Sequence, residues 1–130
     1  MVKTCLNYAQ AKTLRAKGLN PMSADMHFLS QKELFGPNGQ PVVALKNYDK
    51  DCCNHLPREL ATWSASALAA LLPKMKLRNS TDVDGNVVWE CWAWWKDECQ
   101  VSSNHPEMID ALYEVVLRLL NRGWQPTYSL

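Results

Sequence analysis

The sequence predicts an α+β domain, in which an antiparallel four-stranded sheet of two hairpins packs with three helices in the order α-β-β-α-β-β-α. Residues 87–96 hold four of the six tryptophans and no Gly or Pro, a composition typical of a strand. The pair Asp84-Gly85 ahead of them suits a tight hairpin turn. Apolar side chains recur at helical spacing over residues 105–122. Hairpins without long crossovers favour an antiparallel sheet with its helices on one face.

The first half of the chain predicts one helix and one hairpin. Asn7 is suited to cap the helix, Gln10 completes a capping box three residues later, and Gly18 ends the helix. Residues 24–29 and 41–48 predict two strands, because each has apolar residues and a turn-forming Gly-Pro-Asn-Gly segment separates them. The polar stretch that follows predicts a loop.

The second half predicts two more helices. A short helix falls within residues 59–73, with Ser64 or Ser66 as its cap and leucines on its apolar face. The closing helix spans roughly residues 105–122, with Asn104 as its cap and Pro106 in its first turn. Gly123 then ends it.

Side-chain alternation divides the tryptophan strand into two faces. We expect one face to be buried, and its members are Val87, Trp89, Cys91, Ala93 and Trp95. The other face is mixed and should look toward solvent, and its members are Val88, Glu90, Trp92, Trp94 and Lys96. The preceding basic and apolar residues, 74–79, pair with this strand. The register that we infer adds Met75 and Leu77 to the buried face and puts Lys74, Lys76 and Arg78 beside Trp92 and Trp94. Residues 97–103 predict a polar loop.

Size and composition fit one domain over residues 1–130, and 47% hydrophobic residues are enough for an ordinary core. The net charge is +1, so no global field selects a nucleic acid or a membrane. The longest apolar stretch is far shorter than the ~20 residues of a membrane span, which predicts no membrane partner. The N-terminal residues lead directly into helix signals rather than a secretory signal, so we expect a cytoplasmic protein.

Two segments resemble a group of small hypothetical proteins from gut Bacteroides-type bacteria, their phages and prophages. The first is residues 6–18, Leu-Asn-Tyr-Ala-Gln-Ala-Lys-Thr-Leu-Arg-Ala-Lys-Gly, which is similar to the opening helix of that group. The second is Thr62-Trp63-Ser64-Ala65 ahead of a Leu-rich helix, although Ser66-Ala67 stands where that group usually has Pro-Thr. The closing amphipathic helix matches in position. The resemblance implies a phage or mobile-element protein and supplies no catalytic residues.

The solvent-facing tryptophans give the main candidate site. Aromatic rings stack on bases and neighbouring cations hold phosphates, so a nucleotide or single-stranded nucleic acid suits this surface. A second subunit or the C-terminal tail over the rings is the simpler interpretation, because exposed apolar patches most often mark protein contacts. That interpretation predicts a homo-oligomer. The candidate ligand- or partner-binding residues are Trp92, Trp94, Lys74, Lys76, Arg78 and Lys96.

Metal and nucleophile chemistry have weaker support. An odd number of cysteines without a secretory signal predicts reduced thiols: Cys5, Cys52, Cys53, Cys91 and Cys99. Zinc sites commonly use a C-x(2–4)-C spacing, which the adjacent pair Cys52-Cys53 and nearby His55 lack, so we predict no metal or cofactor. No recognisable motif surrounds His27, His55 or His105, so a catalytic cysteine–histidine pair is not favoured.

Acidic pairs are better explained by turns than by catalysis. Asp82-x-Asp84-Gly85 superficially resembles the start of a calcium loop, but position 12 of such a loop is Ala93 instead of Glu. Asp49 and Asp51 lie in the predicted polar loop.

The sequence therefore predicts a non-catalytic binding protein of phage type. It would bind a host protein or sequester a nucleotide-like ligand through the tryptophan face, in a counter-defence role. The alternatives are a small enzyme acting on a nucleotide or phosphoester, and a virion or assembly component.

Overall fold

The computed structural model describes residues 4–28, 43–45 and 61–126. Its helices and strands, in chain order, are α1 (Tyr8–Ala16), a 3-10 turn (Pro21–Ser23), β1 (Met26–Phe28), β2 (Val43–Leu45), β3 (Ala61–Thr62), α2 (Ala65–Leu71), β4 (Met75–Thr81), β5 (Val87–Trp95), β6 (Glu98–His105) and α3 (Met108–Asn121).

The α+β class is confirmed, but the single four-stranded sheet is wrong. The described strands form two antiparallel three-stranded sheets, with the orders β2-β1-β3 and β4-β5-β6. Each predicted hairpin is present, and each gains a third strand that the sequence did not indicate. In the first sheet, the two-residue strand β3 pairs with β1, where Met26 lies opposite Thr62. Tertiary pairing makes β3 a strand, because two residues carry no alternating pattern of their own.

The third strand of the second sheet, β6, occupies the segment predicted as a loop. A two-residue turn, Lys96-Asp97, joins it to β5, and Trp95 pairs with Glu98 directly across the turn. Both turn residues have positive φ angles, 51° and 63°, as a type I′ turn requires. Asn-Gly or Asp-Gly normally signals such a turn, so Lys-Asp left it unrecognised in the sequence.

A β-bulge near the end of β6 explains why Asn104 is not the cap of the closing helix. The pairs Trp89–His105 and Cys91–Ser102 leave two residues of β6 opposite one residue of β5. Asn104 is one of those two residues and has a φ of 65°. The helix begins at Met108, later than predicted, with Glu107 at the N-cap position and no side-chain capping bond.

The starts of the first two helices were predicted correctly. In α1, Asn7 Oδ1 accepts from the Gln10 backbone N–H at 2.8 Å, and Gln10 Oε1 accepts from the Asn7 N–H at 3.1 Å. In α2, Ser64 Oγ accepts from the Ala67 N–H at 3.2 Å. The Asp25 carboxylate, which the sequence did not indicate, accepts from both the backbone N–H and the hydroxyl of Ser64. This contact joins the start of α2 to the residue before β1.

The core lies between the second sheet and the helices. From α3 it takes five nearly inaccessible side chains: Ile109, Leu112, Val115, Val116 and Leu119. Trp63 is fully buried, and its indole N–H donates to Ser23 Oγ at 3.0 Å. Trp124, just after α3, is also part of this core. Over the described ranges, every helix falls short of the length and hydropathy that a membrane span needs.

Candidate functional site

The pairing of β4 with β5 has the register inferred from the sequence. Met75 lies opposite Ala93 and Leu77 opposite Cys91, so these side chains share one face. Lys76 lies opposite Trp92 on the other face, and both residues belong to the predicted site. A one-residue slip would have exchanged the faces.

The face toward α3 is buried as expected, except at one end. Cys91 and Ala93 are inaccessible, and Trp89 and Trp95 are partly buried against the core. Val87, which we expected to be buried, is 52% exposed. It pairs with Thr81 beside the turn, beyond the residues of β5 that reach the core.

The opposite face, which we call the tryptophan face, consists of Lys74, Lys76, Arg78, Trp92, Trp94, Cys99 and Val101. Exposure on β5 increases along it: Val88 is 9% exposed, Trp92 is partly buried, and Trp94 is 37% exposed. The surface is therefore closed near Val88 and open near Trp94. A ligand would reach the Trp94 ring first.

Three cations lie over the two rings. Lys76 Nζ and Arg78 Cζ are 5.9 Å and 5.2 Å from the centroid of the Trp92 ring. Lys74 Nζ is 5.9 Å from the centroid of the Trp94 ring. Each cation is close enough for attraction by the aromatic quadrupole. These five residues of the predicted site are thus brought together.

Lys96, the sixth predicted residue, is not part of the tryptophan face. Its Nζ lies 4.7 Å from the centroid of the Trp95 ring, and Trp95 points to the opposite side of β5. The cause is the positive φ of Lys96 in the turn, which interrupts the alternation of an extended strand.

Two residues that the sequence did not indicate complete the tryptophan face. Val101 lies opposite Trp92 and is 37% exposed, and Cys99 lies opposite Trp94 and is exposed. Both come from β6. The apolar-polar alternation of residues 99–103 was the available signal, but it needed recognition of the Lys96-Asp97 turn.

The charge of the tryptophan face is concentrated at its open end. Glu90 lies opposite Arg78, and its carboxylate is 3.3 Å from the Arg78 guanidinium. This pair partly neutralises the end toward Val88. Lys74 and Lys76 leave the end at Trp94 positive, so an anion is expected to bind there.

A second polar cluster lies where β6 meets α3. His105 Nε2 hydrogen-bonds with the Glu114 carboxylate, which also pairs with Arg118. Arg118 in turn donates to the Val101 carbonyl oxygen. His105 thus meets a carboxylate, the arrangement that the enzyme alternative requires of a histidine. The same bonds also attach α3 to β6, which is a structural role.

The remaining candidate sites have separate outcomes. Cys52, Cys53, His55, Asp49 and Asp51 lie outside the described residues, as does the side chain of His27. Within the described ranges, no three His, Cys, Asp or Glu side chains are grouped to hold a metal ion. Asp82 Oδ1 accepts from the backbone N–H groups of Asp84 and Asn86, both at 2.9 Å, which fits the predicted hairpin turn.

The two cysteines of the second sheet have different environments. Cys91 is inaccessible on the core face, and burial, with a smaller contribution from the charge of Cys99, raises its pKa from 9.0 to about 11. Cys99 is an exposed thiol. A thiol-reactive reagent is therefore expected to label Cys99 in the folded protein and to leave Cys91 unmodified.

The Cys91 thiol is expected to make the protein less stable as the pH rises from 9 toward 11. The unfolded chain loses this proton at a lower pH than the folded chain, so the stabilisation is complete below the unfolded pKa and disappears through the folded pKa. Urea unfolding of the wild type and of Cys91→Ala across this range would measure it. The wild type should lose at most about 2–3 kcal/mol relative to the variant. A pH-independent difference between the two proteins would contradict the raised pKa.

Comparisons with known protein families, with curated proteins and with solved structures give no match to this chain. Its function is therefore inferred from the geometry of the tryptophan face.

Proposed function

We propose that this protein is a non-catalytic binding protein that takes a nucleotide-like ligand on the tryptophan face. The observation that carries this proposal is the position of Lys74 and Lys76 over Trp94 and Trp92 on the outer side of the sheet. A nucleotide has an aromatic base and a phosphate anion, and this surface offers an adjacent partner for each. A purely apolar contact surface would have no need of three cations.

Relative magnitudes favour exchange of the cations for a base. A cation over an exposed ring contributes ~0.5–1 kcal/mol. A base stacked on an aromatic side chain contributes ~1–3 kcal/mol. The displaced lysine keeps its charge and gains a charge-assisted hydrogen bond to phosphate. Stacking on Trp94 with Lys74 on the phosphate therefore gives a net gain.

The phage-type origin and the counter-defence role belong to the same proposal. Their support is the resemblance carried by residues 6–18 and by Thr62-Trp63-Ser64-Ala65. A protein that sequesters a nucleotide signal needs a binding surface and no catalytic residues, which agrees with the tryptophan face.

Combined replacement of Trp92→Ala and Trp94→Ala is expected to weaken ATP binding about tenfold or more, because the loss of one stacked base costs ~1–3 kcal/mol. Isothermal titration calorimetry would measure the affinity. Adenosine and tripolyphosphate should each bind more weakly than ATP, since each keeps only one of the two recognised groups. Trp95→Phe, on the opposite side of β5, is the matched control and should bind ATP like the wild type.

Two results would contradict this proposal. One is equal ATP affinity in the wild type and the double variant. The other is a wild-type dimer that binds no ATP and that the double variant converts to monomer in light scattering. The tryptophan face would then be an interface between copies. A host protein that competes with ATP only in the wild type would instead support the surface as the binding site.

A further inference from the structure

The tryptophan face repeats along its strands. Trp92 and Trp94 are two residues apart on β5, and Lys74, Lys76 and Arg78 follow the same spacing along the neighbouring chain. Residues on one face of an antiparallel strand recur about every 6.8 Å, and directly paired residues have Cβ atoms about 5 Å apart. The result is a row of rings beside a row of cations.

A ligand that uses both rows must itself repeat an aromatic group and an anion. A free nucleotide stacks on one ring and leaves the other ring without a base. A single-stranded nucleic acid supplies one base and one phosphate at every step, and its unpaired bases are free to leave each other and stack on side chains. A duplex offers mainly its phosphates, because its bases are already stacked.

We propose that the ligand of the tryptophan face is single-stranded nucleic acid, an inference that rests on the function proposed above. Two consecutive bases stack on Trp92 and Trp94, and the adjoining phosphates lie along Lys74 and Lys76. The Glu90 carboxylate, paired with Arg78, ends the anionic path. The site therefore holds about two stacked bases, as on other sheet surfaces that bind RNA.

This recognition depends on local charge. The whole chain has a net charge of +1, so long-range attraction to a polyanion is weak. Stacking on the two rings must then supply most of the affinity, and the lysines fix the position of the strand.

Affinity for thymidylates of increasing length tests this inference. Tryptophan fluorescence titration would compare thymidine monophosphate with the tetranucleotide and the hexanucleotide. We expect the tetranucleotide to bind at least about tenfold more tightly than the monophosphate, because it occupies the second ring. The hexanucleotide should add little, and a duplex of the same length should bind more weakly.

Single substitutions separate stacking from charge. Trp94→Leu should weaken binding of the tetranucleotide about five- to a hundredfold, whereas Trp94→Phe should retain most of it. Lys76→Ala should make the slope of log affinity against log salt concentration shallower by about 0.7. Lys96→Ala, the same change on the opposite side of β5, should leave both affinity and slope unaltered.

The outcomes distinguish this inference from the proposed function. Equal affinity for the monophosphate and the tetranucleotide leaves the proposed function standing and overturns the single-strand inference. Failure of ATP and of every thymidylate to bind overturns both. If a polyglutamate peptide or the duplex binds as tightly as the tetranucleotide, the surface recognises charge alone and the inference is wrong.

Discussion

Replacing Trp63 by alanine is expected to lower the free energy of unfolding by about 3–5 kcal/mol. Its side chain is fully buried in the core cluster, so the substitution leaves a large cavity. The indole N–H donates to Ser23 Oγ, and its removal leaves that hydroxyl without this partner. Urea unfolding followed by circular dichroism would measure the loss.

Trp94→Ala is the matched control for Trp63, because it removes the same side chain from a surface position that is 37% exposed. We expect it to cost less than about 1 kcal/mol, as is usual away from the core. Trp63→Phe should fall between the two, since it retains most of the apolar volume and loses the hydrogen bond. Equal losses for Trp63→Ala and Trp94→Ala would contradict the burial of Trp63.

Leu112→Ala is expected to destabilise the protein by about 2–5 kcal/mol. Leu112 is 1% exposed on the face of α3 that belongs to the core. Most of the stability of this helix comes from the packing of its apolar face, because an isolated helix of this length is marginal in water. Thermal and urea unfolding would both report the loss.

Leu117→Ala on the same helix provides the comparison. Leu117 is only partly buried beside the core, so its removal should cost less than half as much as that of Leu112. Both substitutions change helix propensity by the same small amount, which cancels between them. A larger effect at Leu117 would mean that α3 is rotated relative to its described position.

The parts of the fold that were predictable depend on neighbours in sequence. The capping box of Asn7 and Gln10, the Ser64 cap and the register of β4 with β5 all follow from residues a few positions apart or joined by one tight turn. The third strand of each sheet was not predictable in this way. The strand β3 depends on β1, more than thirty residues earlier, and β6 depends on a turn without glycine.

The candidate site shows the same division. Parity along β5 correctly grouped Trp92 and Trp94, and the hairpin register brought Lys76 to them. Parity failed at Lys96, because a positive φ in the turn redirects its side chain toward Trp95. The contribution of β6 to the tryptophan face was missed with the strand itself.

The position of β4 gives its basic residues a consequence beyond ligand binding. Among the described strands, β4 is at an edge of its sheet, where unpaired backbone groups can template the addition of a strand from another molecule. Lys76 and Arg78 place like charges along that edge, so two copies repel each other when their edges approach. The same cations thus oppose aggregation, and selection for solubility and for recognition acts on the same side chains.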